Sequence, residues 1–174
     1  MKNILFVPGS LRKASASRAT VRGLQTRLPS DCAVTVADVG KLPHYNADIT
    51  DYSEVAAWMV QVEQADAVIF VTPEYNYSVP GVLKNAIDWA SRPAFESVFK
   101  GKPCFIVSVS GGPLGGVRAQ AHLKGILGGL LAKTFVSKEV IVPMANTKIE
   151  DGVMTDATIL DFAMANLTEF FATL

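Results

Sequence analysis

Short apolar runs, spaced along the whole chain, constrain its fold more than any other feature. Continuous apolar runs of this length are typical of strands that are buried on both faces of a parallel sheet. Four such runs predict strands at Asn3–Val7, Cys32–Ala37, Ala67–Thr72 and Pro103–Ser108. A fifth strand is expected within Thr134–Val142. The chain therefore carries the strands of one parallel sheet.

Segments between these runs carry apolar residues at helical spacing, so helices alternate with the strands. The helices are indicated by Val21, Leu24 and Leu28; by Val55, Met59 and Val62 within Val55–Ala65; by Val79, Val82, Leu83, Ala86, Ile87 and Ala90; by Leu123, Leu127, Leu130 and Leu131; and by Ile159, Phe162, Ala163 and Phe170 within Ala157–Leu174. Ser78 is expected to cap the third helix, with Pro80 in its first turn.

Parallel strands need crossover helices, so this alternation predicts an α/β fold with helices on both faces of the sheet. We expect a flavodoxin-like, doubly wound, five-stranded parallel sheet in the order 2-1-3-4-5. No linker and no internal repeat divides residues 1–174, which predicts a single domain.

Charge and cysteine content narrow the classes of partner. Sixteen Lys and Arg residues balance sixteen Asp and Glu residues, whereas a nucleic-acid binder normally carries a basic excess. Cys32 and Cys104 are isolated, as are His44 and His122, so we expect free thiols and no metal site. The first ten residues are too short for a signal-peptide core, and no apolar run is long enough to span a membrane. These features predict a cytoplasmic protein that binds neither nucleic acid nor membrane.

The first loop, Pro8–Arg18, is a candidate anion site. In doubly wound sheets, ligands bind beyond the carboxyl ends of the strands, and this loop joins the first strand to a helix N-terminus. Ser10, Ser15 and Ser17 offer hydroxyl donors, and Arg12 offers a guanidinium. A phosphate monoester would suit these groups. An ordinary solvated loop with a helix cap is the alternative interpretation.

The second loop, Thr72–Gly81, and the third loop, Val109–Arg118, follow the third and fourth strands. Tyr75, Asn76 and Tyr77 suit a planar aromatic ligand, although tyrosines packed around a proline-bounded turn are the alternative. Glu74 either meets the ligand through its backbone or caps a neighbouring group. Glycines in the third loop would let the backbone approach a ligand, and Arg118 could meet a second anion or a neighbouring subunit. Together the three loops indicate a mononucleotide site, and an isoalloxazine fits it best.

Competing nucleotide and hydrolase motifs are missing from the sequence. There is no GxxxxGK[ST] phosphate loop and no GxSxG nucleophile elbow. The glycine-rich stretch Gly111–Gly116 fails the GxGxxG pattern because Pro113 occupies the position of the second glycine.

Two segments, Gly9–Ser15 and Pro73–Trp89, closely resemble the NADPH-dependent FMN reductase family, and the likeness extends in order along the chain. This resemblance implies one tightly bound, non-covalent FMN. The cofactor-binding residues that it implies are Ser10, Arg12, Ser15, Ala16 and Ser17 at the phosphate, Pro73, Glu74, Tyr75, Asn76 and Tyr77 along the ring and ribityl chain, and Ser110 and Gly111 on the third loop. Many members have Asn where this chain has Ser17, which predicts weaker or altered phosphate contact.

The resemblance also implies an activity: ping-pong, two-electron reduction of quinones, chromate, azo dyes or flavin by NADPH or NADH, with no side chain acting as a nucleophile. Arg12, Lys13 and Arg18 slightly favour NADPH, and a homodimer or homotetramer is expected. Two alternatives stay open, a flavodoxin-type electron carrier and a flavin-based redox sensor. The balanced net charge speaks against the carrier, since electrostatic docking favours strongly acidic flavodoxins.

Overall fold

The computed structural model describes residues 1–49 and 51–174. Its main sheet is parallel in the order β2-β1-β3-β4, with two short strands on the outer edge of β4. The strands are β1 Lys2–Pro8, β2 Cys32–Val36, β3 Ala67–Pro73, β4 Pro103–Val109, β5 Lys133–Thr134 and β6 Val140–Val142. The predicted order 2-1-3-4-5 is confirmed.

The predicted fifth strand is divided into β5 and β6, which residues 135–139 separate, although the Phe135 N–H still donates to the Cys104 carbonyl of β4 at 2.9 Å. Val136 is 94% exposed, whereas Phe135 beside it packs against Phe105 and Phe170 of the core. The buried Gln120 side chain supports the start of β6, since its Nε2 donates to the Val140 carbonyl at 3.1 Å. Its amide also donates to Ser108 Oγ at 3.2 Å.

Helices cover both faces of the sheet, as predicted. The α-helices are α1 Ala16–Gln25, α2 Ser53–Gln64, α3 Gly81–Ala90, α4 Val117–Gly129 and α5 Ala157–Phe171. Alternate strand residues face opposite layers: Leu5 and Val7 pack with α2, α3 and α4, whereas Ile4 and Phe6 pack with α1 and α5. A short 3-10 helix, Ala145–Lys148, and a hairpin of β7 Ile149–Glu150 and β8 Val153–Met154 precede α5.

Some helix details differ from the prediction. Ser78 does not cap α3, which begins after Pro80 without a side-chain cap; Ser78 Oγ instead lies 2.9 Å from Nδ1 of His122. Leu131 is exposed because α4 ends at Gly129. Phe162 is exposed because the inward stripe of α5 runs through Leu160, Ala163 and Leu167, and Phe162 lies on the other side.

Three neighbouring strands end within two residues of one another, and this positions the loops. Val71 of β3 lies opposite Pro8 of β1, and Thr72 lies opposite Ser108 of β4. The first, second and third loops therefore leave the same edge of the sheet side by side. Among the described helices, none is long and apolar enough to cross a membrane.

Candidate functional site

The three loops enclose a cleft of about 160 Å³ at the carboxyl edge of β1, β3 and β4. It lies between β1 and β3, where the strand order reverses, as expected for ligand sites in doubly wound sheets. All the predicted site residues line it except Asn76 and Tyr77. The lining residues are Ser10, Arg12, Ala14, Ser15, Ala16, Ser17, Pro73, Glu74, Tyr75, Val109, Ser110, Gly111 and Asn146.

A larger hollow of about 430 Å³ lies against α2 and the segment after β2. Its charged lining residues are Asp38, Lys41 and Glu54, so acidic and basic groups are mixed there. The smaller cleft lies at the point where the strand order reverses and contains a helix N-terminus, and we therefore place the candidate site in it.

The first loop offers unpaired donors at the start of α1. Ser15 is the N-cap residue: its Oγ accepts from the Arg18 N–H at 3.2 Å and lies 3.2 Å from Ser17 Oγ. Within the described residues, the N–H groups of Ala16 and Ser17 have no hydrogen-bond partner. These groups form the positive end of the helix dipole, and exposed Arg12 lies on the same side of the cleft. This end of the cleft suits an anion.

The second loop contains a tight, strained turn. Tyr75 and Ser78 exchange both backbone hydrogen bonds, at 3.0 and 3.1 Å, which leaves Asn76 and Tyr77 at φ of 48° and 68°. Two successive left-handed residues other than glycine are unusual and costly. Tyr75 lines the cleft and its hydroxyl lies 3.0 Å from Ser10 Oγ, so it connects the second loop to the first. Tyr77 is 67% exposed outside the cleft.

The third loop lines the cleft with the backbone of Gly111, which has no side chain. A Cβ on Gly111 would lie 2.9 Å from Asn146 Nδ2, so only glycine fits without moving that amide. Ser110 Oγ accepts from the Gly112 N–H at 3.0 Å. In the described part of the chain, the Gly111 N–H has no partner. The backbone donor available to a ligand here is therefore that of Gly111.

Asn146 is a lining residue that sequence reasoning missed. It lies on the 3-10 helix after β6, which folds back because Ala145 N–H donates to the Ser110 carbonyl at 2.8 Å and Met144 N–H to that of Gly112 at 3.0 Å. No sequence motif indicates Asn146, because its position in the cleft depends on these backbone contacts with the third loop.

Glu74 contacts α4 through its side chain. Its Oε2 accepts from the backbone N–H groups of Arg118 at 2.9 Å and Ala119 at 3.3 Å. Its Oε1 accepts from the Arg118 guanidinium at 3.2 Å. The carboxylate therefore caps α4, which is one of the two roles left open for Glu74, and it pairs with Arg118 of the same chain.

The family model described as NADPH-dependent FMN reductase matches residues 2–147. The chain belongs to this family. It is 39% identical over 174 residues to a quinone reductase of Escherichia coli, covering 96% of this chain and 92% of that protein. It is 47% identical over 125 residues to a 2-hydroxy-1,4-benzoquinone reductase of Burkholderia sp, covering 71% of this chain and 68% of that protein.

A solved structure shares both fold and sequence with this reductase-family chain. The flavoenzyme NAD(P)H:(acceptor) oxidoreductase of Paracoccus denitrificans superposes with a TM-score of 0.86 at 33% identity. The match covers 99% of this chain and 98% of that one.

The residues present in the cleft fit FMN, the cofactor of the family. The unpaired N–H groups of Ala16 and Ser17 suit its phosphate, and the buried Ser10 hydroxyl lies nearby. A flat ring can approach the third loop closely because Gly111 lacks a side chain. Ser17, which replaces the Asn of many members, is buried with its hydroxyl beside Ser15. The weaker phosphate contact expected from this replacement stays a prediction.

Proposed function

We propose that this chain is an NAD(P)H-dependent oxidoreductase that reduces quinones or similar acceptors, such as chromate, azo dyes or flavin, by two electrons. The observation that carries the proposal is the convergence of three loops on one cleft at the reversal of strand order, with unpaired donors at the N-terminus of α1. Membership of the NADPH-dependent FMN reductase family supports it.

We assign the FMN phosphate to the start of α1. The N–H groups of Ala16 and Ser17 would donate to its oxygens, and the Ser15 and Ser17 hydroxyls lie beside them. The Arg12 guanidinium would form a charge-assisted pair with the phosphate. The cleft lining includes a single carboxylate among its described residues, that of Glu74, and Arg118 already pairs with it. Repulsion of the phosphate is therefore small.

We assign the flavin ring to the space between Tyr75 and Gly111. Bound FMN supplies the two-electron chemistry, which no side chain here provides. The protein's contribution is to orient the ring and stabilise charge: Tyr75 forms one wall, and the unpaired Gly111 N–H would favour negative charge on the ring edge beside it. Asn76 and Tyr77 lie in the adjacent exposed turn, where they would contact the acceptor side.

The remaining expectations stay part of the proposal. They are a single domain over residues 1–174, a homodimer or homotetramer, a cytoplasmic location and a small-molecule acceptor, with NADPH weakly preferred to NADH. The electron carrier and the redox sensor gain no specific support from the cleft.

The phosphate assignment is tested by titrating the apo-protein with FMN and with riboflavin, which lacks the phosphate. Arg12→Ala should raise the Kd for FMN roughly 10- to 100-fold, since hydrogen bonds to charged groups contribute about 1.5–3 kcal/mol. The Kd for riboflavin should be unchanged. Lys13→Ala is the matched control, because Lys13 is the next residue with the same charge and lies outside the cleft lining.

Two results would contradict the proposal. Wild-type protein that fails to bind FMN would remove its basis. Equal losses in the Arg12→Ala and Lys13→Ala variants would show that general charge attracts the flavin, and the phosphate site would then lie elsewhere.

A further inference from the structure

Glu74 and Tyr75 are consecutive residues that connect the second loop to different neighbours. The Glu74 carboxylate accepts from the first turn of α4, directly after the third loop. The Tyr75 hydroxyl meets Ser10 of the first loop. Only 13% of the Glu74 side chain is exposed, so water competes weakly for its oxygens. These two side chains therefore join all three walls of the cleft.

The start of α4 lacks a cap of its own. Its N-cap residue is Gly116, in the left-handed conformation at φ 84°, and it has no side chain that could accept from the first turn. Helices leave their first N–H groups without intrahelical partners, and an anion there is favoured by the helix dipole. The Glu74 carboxylate meets both needs from 44 residues earlier in the chain. These hydrogen bonds hold the Glu74 side chain and the start of α4 in place relative to each other.

The strained turn of the second loop is also held by α4. The Arg118 guanidinium lies over the Tyr77 ring at 4.7 Å from its centre, and Arg118 is itself paired with Glu74. One helical turn later, His122 meets the Ser78 hydroxyl. Left-handed backbone at Asn76 and Tyr77 persists only where its surroundings hold it. Contacts to α4 provide that support on both sides of the turn.

We propose that Glu74 is a positioning residue for FMN: by capping α4 it fixes the spacing between the Pro73–Tyr75 wall and the Ser110–Gly111 wall. This inference rests on the proposed function and adds a role for the carboxylate that does not require contact with the flavin. When the walls of a cleft are already ordered, ligand binding loses less free energy to ordering them, and the affinity is higher. Without the cap, the two walls would be less ordered before the flavin binds, and flavin binding would be weaker.

The test compares Glu74→Ala and Glu74→Gln with wild type in the apo-protein. FMN affinity is measured by titration, and the visible circular dichroism of saturated samples reports the setting of the ring. Glu74→Ala should raise the Kd for both FMN and riboflavin about tenfold, because the ring site itself is disturbed. Glu74→Gln keeps an acceptor for the Arg118 N–H and should recover part of the affinity. It also keeps the test valid if the alanine variant does not fold.

Asp156→Ala is the matched control. Asp156 caps α5 through the Ile159 N–H and pairs with Lys148, the same chemistry on a helix outside the cleft lining. This variant should lose stability but keep the wild-type Kd for FMN. Hydrogen exchange of the Arg118 and Ala119 backbone amides should become faster in Glu74→Ala, because these N–H groups lose their acceptor.

The outcomes separate this inference from the proposed function. If wild type fails to bind FMN, the proposed function fails. If wild type binds and both Glu74 variants keep its Kd and dichroism, the positioning role is wrong and Glu74 is only a structural cap. If Glu74→Ala loses FMN affinity while the Arg118 and Ala119 amides exchange as slowly as in wild type, Glu74 acts on the flavin without the cap, which also overturns the inference.

Discussion

Replacing Gly23 with alanine should destabilise the protein, although the same change normally stabilises a helix. Gly23 lies inside α1, where alanine is favoured over glycine by about 1 kcal/mol. A Cβ on Gly23 would lie 2.6 Å from the Met154 carbonyl oxygen and 2.9 Å from Met154 Cβ. Both contacts are far inside van der Waals range, and one is to backbone. The 149–154 hairpin must therefore move away from α1.

The size of the effect follows from these two opposing contributions. Overpacking a tight site costs about 1–3 kcal/mol, and displacing buried Met154 adds to that cost. After subtracting the helix gain, we expect a net loss of about 1–2 kcal/mol. For a chain of this length, that lowers the melting temperature by roughly 2–8 °C.

The assay is thermal and denaturant unfolding of the apo-protein, with Gly125→Ala as the matched control. Gly125 lies inside α4, and nothing lies within 4 Å of a Cβ built there. That variant should gain about 0.5–1 kcal/mol. If Gly23→Ala stabilises the protein as Gly125→Ala does, the packing of the hairpin on α1 is wrong.

Three further predictions follow from single side chains. Ser15→Ala should lower the free energy of unfolding of the apo-protein by about 1 kcal/mol through loss of the α1 cap, measured by urea titration; no loss would remove Ser15 as the cap. Hydrogen bonding to the Lys148 ammonium, and then to the Ile159 N–H, lowers the pKa of Asp156 below 3.8, so its contribution to stability is present above that pH and is lost as the pH falls through the lowered value. Asp156→Asn should therefore flatten the acid limb of a stability–pH curve, and an unchanged limb would contradict this. Burial raises the pKa of the Cys104 thiol to about 12, so brief alkylation of the folded protein followed by mass spectrometry should modify Cys32 first, and rapid labelling of Cys104 would refute its burial.

The sheet could be predicted because strands that are buried on both faces appear in the sequence as continuous apolar runs. β1, β3 and β4 are continuous apolar runs, and the crossover rule then restricts their order. The division of the fifth strand could not be predicted from its own residues, since Gln120, which supports the start of β6 at Val140, lies 20 residues earlier on α4. Local sequence carries no trace of that contact.

The candidate site was predictable to the extent that topology decides it. The loops that follow three neighbouring strands leave the same edge of the sheet, so Ser10, Tyr75 and Gly111 come together whatever their side chains are. The role of the Glu74 carboxylate was not decided, because it depends on where α4 begins. Asn146 was missed because it follows β6 in the sequence and lies beside Gly111 only through the tertiary fold.

Anaerobic reduction of the FMN-loaded protein tests most directly whether this chain is a flavin-dependent reductase. Purified protein is mixed with FMN, unbound flavin is removed, and NADPH is added while the visible flavin band is followed. We expect that FMN is retained, that NADPH bleaches the band rapidly and completely, and that a quinone restores it. Retained FMN that NADPH does not bleach, or no retained FMN at all, would contradict the assignment of this chain as a flavin-dependent reductase.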